Sequence, residues 1–238
     1  MAKPLLSAHR GGPEGHYEPN SLEAIKAALE IGVDMVEFDV RTTRDGVFVS
    51  VHDPTIEGRP IADMTEAEVL AAAPGTTRVT EILELIAGRA LGHVDLKDAR
   101  LELEVADLCT SVLGVDGFVL TTLEDASVAR LRAARPDVKV GLSLGRDATS
   151  LRFSAAMRLR RSEVFPARRV RDCGARVLVL HHRLARIGVL SWARRHQIDV
   201  LVWTINNPRL LRSVANDDRY WAFTTDYPRL AQKLRETR

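Results

Sequence analysis

Two pairs of charged residues stand out by their spacing. Glu37 and Asp39 are two positions apart, as are Asp95 and Lys97, and on an extended strand such side chains point to the same side of a sheet. If that side is enclosed, three carboxylates converge, and their repulsion raises their pKa values unless a cation sits among them. Oxygen-only donors select a hard ion, Mg²⁺ or Ca²⁺, over zinc. Singly, each acid also has an ordinary use: Asp95 can pair with Lys97, and any of them can cap a loop. His9 and His52 are suited to giving and taking a proton near neutral pH. Arg10 offers a guanidinium fork that matches phosphate oxygens, and Gly11-Gly12 permits close backbone approach to an anion.

These residues need elements to bring them together. Short apolar runs at Leu5–His9, Met35–Val40, Leu91–Lys97, Gly117–Thr121, Lys139–Leu144, Arg176–His181, Asp199–Ile205 and Trp221–Thr225 read as eight strands. Helical periodicity lies between them at Ser21–Ile31, Glu81–Ala87, Ala126–Ala134, Leu184–His196 and Arg229–Glu236. Eight alternations in 238 residues predict a (β/α)8 TIM barrel, with a doubly wound open sheet as the structural alternative. A barrel builds its site from the loops after its strands, and the chemistry-bearing residues fall at strand ends. Among them are His181 and His182, which read as a loop-facing pair.

One insertion breaks the alternation after the second strand. Asp45-Gly46 between β-rich runs signals a two-residue hairpin turn, which would pair Thr43 with Phe48 and set His52 opposite Asp39 at the barrel mouth. Further on, Thr65 and Glu68 read as a capping box opening a small helix. The stretch 146–172 holds 8 arginines against 3 acids, with Leu151, Phe153, Met157 and Leu159 among them. A solvated face is its ordinary use, and peripheral contact with anionic lipid is the sharper expectation.

Composition narrows the class. With 45% hydrophobic and 28% charged residues the chain can bury a core, and its length is read as one domain over 1–238. A net charge of +2 gives no general reason for nucleic-acid binding. Cys109 and Cys173 lack metal-ligand spacing and suggest no disulfide framework. With no secretory-type apolar run near Met1 and no membrane-length stretch, a cytoplasmic location is expected.

His9-Arg10-Gly11, Asn20-Ser21, Glu37-x-Asp39, Thr43-x-Asp45-Gly46, His52-Asp53, Asp95-x-Lys97, Trp203-Thr204-x-Asn206 and Thr225-Asp226-x-Pro228 together resemble the glycerophosphodiester phosphodiesterase family, in the family's order and over nearly the whole chain. The resemblance implies a TIM barrel with Glu37, Asp39 and Asp95 around a divalent cation. It implies His9 and His52 as general acid and base, Arg10 and Lys97 on phosphate, and Trp203 against the glycerol part. The implied reaction turns a small-molecule phosphodiester into glycerol 3-phosphate and an alcohol. A lysophospholipase D or sphingomyelinase D-like activity on a bulkier diester, or a barrel that binds phosphoesters without turnover, are the alternatives. The chain departs from the family pattern at Glu18-Pro19-Asn20-Ser21, where Asn20 can also serve as a helix N-cap. It departs again at Asp95, where the family commonly has Glu, and in the short segment Pro54–Thr80.

Overall fold

The computed structural model describes residues 3–146, 149 and 152–236. Eight parallel strands form its centre: β1 Leu5–Ala8, β2 Met35–Thr42, β7 Leu91–Leu96, β8 Phe118–Thr122, β9 Val140–Leu144, β10 Val177–His181, β11 Asp199–Trp203 and β12 Ala222–Thr225. β1 pairs with both β12 and β2, so the sheet closes into a TIM barrel and has no open-sheet edge at that seam. The insertion after β2 holds the short strands β3 Phe48–Ser50, β4 Thr55–Ile56, β5 Arg59–Pro60 and β6 Thr77–Arg78. The helices are α1 Leu22–Ile31, α2 Glu66–Ala72, α3 Val79–Ile86, α4 Glu102–Leu113, α5 Asp125–Ala134, α6 Phe153–Val164, α7 Ala167–Cys173, α8 His182–Leu184, α9 Leu190–Arg195, α10 Pro208–Ala215 and α11 Pro228–Glu236.

Period-two alternation sorts each strand onto two sides. Val36, Phe38 and Val40 of β2 belong to the large core shared with Val94, Leu120, Leu142, Leu178 and the helices outside the barrel. The other side, with Met35, Val119, Val177, Val179, Leu201 and Ala222, fills the barrel's lower interior. Going up β2 on that interior side, Met35 gives way to Glu37 and Asp39. The same switch occurs on β7, where His93 is level with Glu37 and Asp95 with Asp39. Both neighbours are therefore apolar at the base and ionisable at the mouth. Phe38, fully buried behind this face, fixes the strand, and truncation to Ala would cost about 3–5 kcal/mol.

Two local expectations are corrected. The hairpin after β2 pairs Thr42 with Phe48 and Arg41 with Val49, one residue off the register a two-residue turn requires. Its loop is Arg44-Asp45-Gly46, with Gly46 at φ 83° and Thr43 N–H donating to the Val47 carbonyl at 3.0 Å. A three-residue loop ending in a left-handed glycine is the next favoured hairpin, so Asp39 and His52 are not directly opposed. The helix expected over 184–196 is broken by a π-type turn, Ala185–Val189, in which Gly188 has φ 102°. By contrast, the capping box at Thr65 and Glu68 forms as expected. Leu151 lies outside the described residues. Cys109 and Cys173 are buried free thiols, and no helix among the described residues is long and apolar enough to cross a membrane.

Candidate active site

A cavity of about 320 Å³ opens at the C-terminal ends of the strands. His9, Arg10, Glu37, His52, Asp95, Lys97 and Trp203 all line it. Asp39 lies just beneath, 1% exposed, with its carboxylate in contact with Arg10 and Lys97. All eight residues singled out from the sequence thus meet at one mouth.

Glu37, Asp39 and Asp95 each offer an oxygen, and these oxygens lie within 4.8 Å of one another. That spacing fits a hard cation, since ligands on opposite sides of an ion with 2.3–2.6 Å bonds are roughly 5 Å apart. The electrostatics divide the acids, leaving Glu37 short of positive charge and Asp39 well supplied with it. Burial first, then the neighbouring Asp39 charge, pushes the Glu37 carboxyl up to about 7. Burial works against ionisation of Asp39 as well, but the Lys97 ammonium and the hydrogen bonds from Lys97 and Asn20 hold its carboxyl below the usual range. Lys97 bridges two of the acids, lying 2.8 Å from Asp39 Oδ1 and in contact with Asp95 Oδ2. The ion pair between Asp95 and Lys97 therefore exists inside the carboxylate cluster. Burial disfavours the ammonium, yet Asp95 and Asp39 raise its pKa above the ordinary lysine value.

Each histidine has one ring nitrogen committed to a carboxylate. His9 Nδ1 is 2.6 Å from Asp226 Oδ1, and His52 Nδ1 is 2.8 Å from Asp53 Oδ1. His9 Nε2 is 4.0 Å from Glu37 Oε2. Burial lowers the pKa of His9, but the Glu37 charge and the Asp226 hydrogen bond outweigh it and leave the imidazole above its ordinary value. His52 is fixed through its backbone: its carbonyl accepts from Arg41 Nε at 3.1 Å and from a terminal guanidinium nitrogen at 2.8 Å. Arg41 is held in turn by Asp98, in the loop after β7.

The turn His9-Arg10-Gly11-Gly12 follows from backbone constraints. Arg10, Gly11 and Gly12 have φ of 50°, 80° and 67°, a run of left-handed residues that glycine tolerates best. A Cβ on Gly12 would lie 2.6 Å from Pro228 Cγ, and one on Gly11 would lie 3.0 Å from Ala24 Cβ. The glycines are thus required by packing of the turn against the starts of α11 and α1. The turn aims the Arg10 N–H at Glu37 Oε2, 2.7 Å away.

Several residues at the mouth are silent or misleading in the sequence. Asn20 does not cap α1; Ser21 does, accepting from Ala24 N–H. Asn20, buried at φ 65°, instead donates through Nδ2 to Asp39 Oδ2 at 2.9 Å and accepts from Asp39 N–H at 3.3 Å. Asp226 was visible only as a member of Thr-Asp-x-Pro. It is clamped by Asn206, which contacts its carboxylate and accepts from its N–H at 3.0 Å. His93, level with Glu37 and one step below Asp39 and Asp95, sits between Ser7 Oγ and Thr121 Oγ1, each 3.2 Å from a ring nitrogen, and burial pushes its pKa down to about 4. Arg146 also lines the cavity, held by the Leu123 carbonyl at 3.0 Å and by Glu124. Trp203, whose indole N–H is buried without a partner, packs edge-on to His181 with centroids 5.5 Å apart.

Comparison with known proteins adds an independent line. Residues 9–84 match the model of the glycerophosphoryl diester phosphodiesterase family. A glycerophosphodiester phosphodiesterase of Caldanaerobacter subterraneus subsp. tengcongensis is 44% identical over 55 residues, covering 23% of this chain and only 22% of that relative. The crystal structure of a glycerophosphodiester phosphodiesterase from Thermotoga maritima superposes with TM-score 0.76 at 21% identity, covering 99% of this chain and 100% of that one. An Oleispira antarctica phosphodiesterase solved with the product sn-glycerol-3-phosphate gives TM-score 0.75 at 20% identity, covering 98% and 96%.

Proposed function

We propose that this chain, which belongs to the glycerophosphoryl diester phosphodiesterase family, hydrolyses glycerophosphodiesters to glycerol 3-phosphate and an alcohol. The observation that carries the reading is a carboxylate cluster, Glu37, Asp39 and Asp95, opening into the same cavity as two histidines, His9 and His52. Both are oriented through Nδ1 by a carboxylate. With Nδ1 committed, Nε2 is the nitrogen left to exchange protons, one imidazole with the attacking oxygen and the other with the departing alcohol.

Glu37, Asp39 and Asp95 would hold Mg²⁺ or Ca²⁺, which when bound draws charge from the phosphoryl oxygens. Arg10 and Lys97 bring fixed positive charge to the phosphate without proton transfer. Asn20 holds Asp39 so that its carboxylate keeps its place among them. Trp203 offers an apolar ring for the glycerol carbons and an unpaired N–H for an oxygen.

The test is release of glycerol 3-phosphate from glycerophosphocholine and glycerophosphoethanolamine by metal-stripped protein, with Mg²⁺ or Ca²⁺ restored in parallel. Metal-restored turnover supports reaction and cofactor together. Metal-dependent binding of these diesters without product would replace hydrolysis by a binding role.

A further inference from the structure

α6 has its polarity inside out. Glu163 is its only buried residue, while Phe153 is 81% and Met157 55% exposed. These two are one turn apart and share a helix face. The buried acid is a tether: Glu163 Oε1 accepts from the N–H groups of Gly145 and Arg146 at 2.8 and 2.9 Å, just beyond β9. α6 is thereby fixed at the mouth rather than alongside the barrel, and the chain descends through α7, whose Arg169 pairs with Asp125 at the start of α5. Phe165, 70% exposed, lies between the two helices.

The neighbouring loop presents the same chemistry. The π-type turn after β10 leaves Ile187 58% exposed, and Arg183 and Arg186 flank it in the open. The charge is one-sided. Residues 152–166 contain no acid but Glu163, which is buried and paired with Arg160, and residues 182–190 contain none. Arg152, Arg158, Arg161, Arg183 and Arg186 are exposed.

Apolar side chains projecting from a basic short helix fit the boundary of an anionic bilayer, where the rings insert among acyl chains and the guanidiniums meet phosphates. We propose that α6 and the turn after β10 dock the barrel mouth onto an anionic phospholipid surface. Resting on the hydrolase reading above, this extends its substrate to an acylated diester such as a lysophospholipid, presented from that surface to the cavity and cleaved there to an acylglycerol 3-phosphate and an alcohol.

The test is co-sedimentation with phosphatidylcholine vesicles with and without phosphatidylglycerol, at low and high salt. Binding should require phosphatidylglycerol and weaken with salt. It should fall at least about tenfold in Phe153→Ser/Met157→Ser and in Arg158→Gln/Arg161→Gln. All these side chains are exposed, so the variants should keep the wild-type far-ultraviolet dichroism and unchanged turnover of soluble glycerophosphocholine. Turnover of a vesicle-borne lysophospholipid should drop with binding. Absence of binding to anionic vesicles, equal binding by the variants, or a change in sedimentation mass in place of a change in vesicle binding would each overturn the proposal. Vesicle binding by a protein inactive on every diester would leave docking standing and remove the hydrolase reading instead.

Discussion

His9 Nδ1 and Asp226 Oδ1 are 2.6 Å apart across a sequence separation of 217 residues, and this contact spans the seam at which β1 meets β12. Closing the barrel and orienting the imidazole are one event. Burial disfavours the Asp226 anion, but the His9 hydrogen bond and charge hold its carboxyl below the usual range. Asp226→Asn keeps the size of the side chain and loses its charge. Turnover of glycerophosphocholine should fall about a hundredfold with KM nearly unchanged, since the residue acts through His9 and not on substrate. A kcat within a few-fold of wild type would show that His9 needs no such partner.

Removing a ligand from the carboxylate cluster tests the metal separately from catalysis. Glu37→Gln and Asp95→Asn should each weaken Mg²⁺ or Ca²⁺ binding to stripped protein by well over tenfold in titration calorimetry. Asn20→Ala, which frees Asp39 without deleting a ligand, should weaken it by about 10–100-fold. Metal should also raise the wild-type Tm, as any ligand of the folded state does. Unchanged affinity in Asp95→Asn would move the third ligand elsewhere.

The strands and their ionisable mouths were legible because period-two alternation is a local signal: Glu37-x-Asp39 and Asp95-x-Lys97 reveal their shared face without any tertiary knowledge. The partners were not, because each is fixed by a distant contact. Nothing near Asn20 says that its amide reaches Asp39 rather than capping α1, and nothing near Arg41 says that it holds the His52 carbonyl. The hairpin register failed for a different reason. Asp-Gly serves two-residue and three-residue loops alike, since Gly46 is left-handed in both, and the loop is decided by Asp45, which stays out of the left-handed region that a two-residue turn would demand of it. α6 resisted the sequence reading because its apolar residues face outward, against the periodicity by which buried helices are found.

Gly12 and Gly15 form a matched pair for the first loop. Both have positive φ, 67° and 78°, but a Cβ on Gly12 meets Pro228 Cγ at 2.6 Å whereas one on Gly15 meets nothing within 4 Å. Gly15→Ala should cost about 1 kcal/mol, from backbone strain alone. Gly12→Ala should cost about 2–3 kcal/mol and also reduce activity, because relief of the clash moves Arg10 and its N–H contact with Glu37. Urea unfolding of the two variants measures the difference, and equal losses would mean that the contact with Pro228 yields freely.

His93 supplies a pH dependence of stability that is separable from catalysis. Its folded-state pKa is pushed down to about 4 by burial, against an ordinary value near 6.5. The unfolded chain therefore binds the extra proton first as the medium is acidified. The contribution of the neutral, buried ring is full above about pH 6.5 and is lost as pH falls toward 4, by roughly 3 kcal/mol in all. Glu37, with its raised pKa, pulls the other way over an overlapping range, so the wild-type curve alone does not isolate the histidine. His93→Gln does, because a neutral amide can still bond Ser7 and Thr121 but takes up no proton. The variant should be less stable than wild type at pH 7, and the gap measured by urea denaturation of metal-free protein should narrow steadily between pH 6.5 and 4. A gap that stays constant across that interval would show that His93 is not a buried neutral ring.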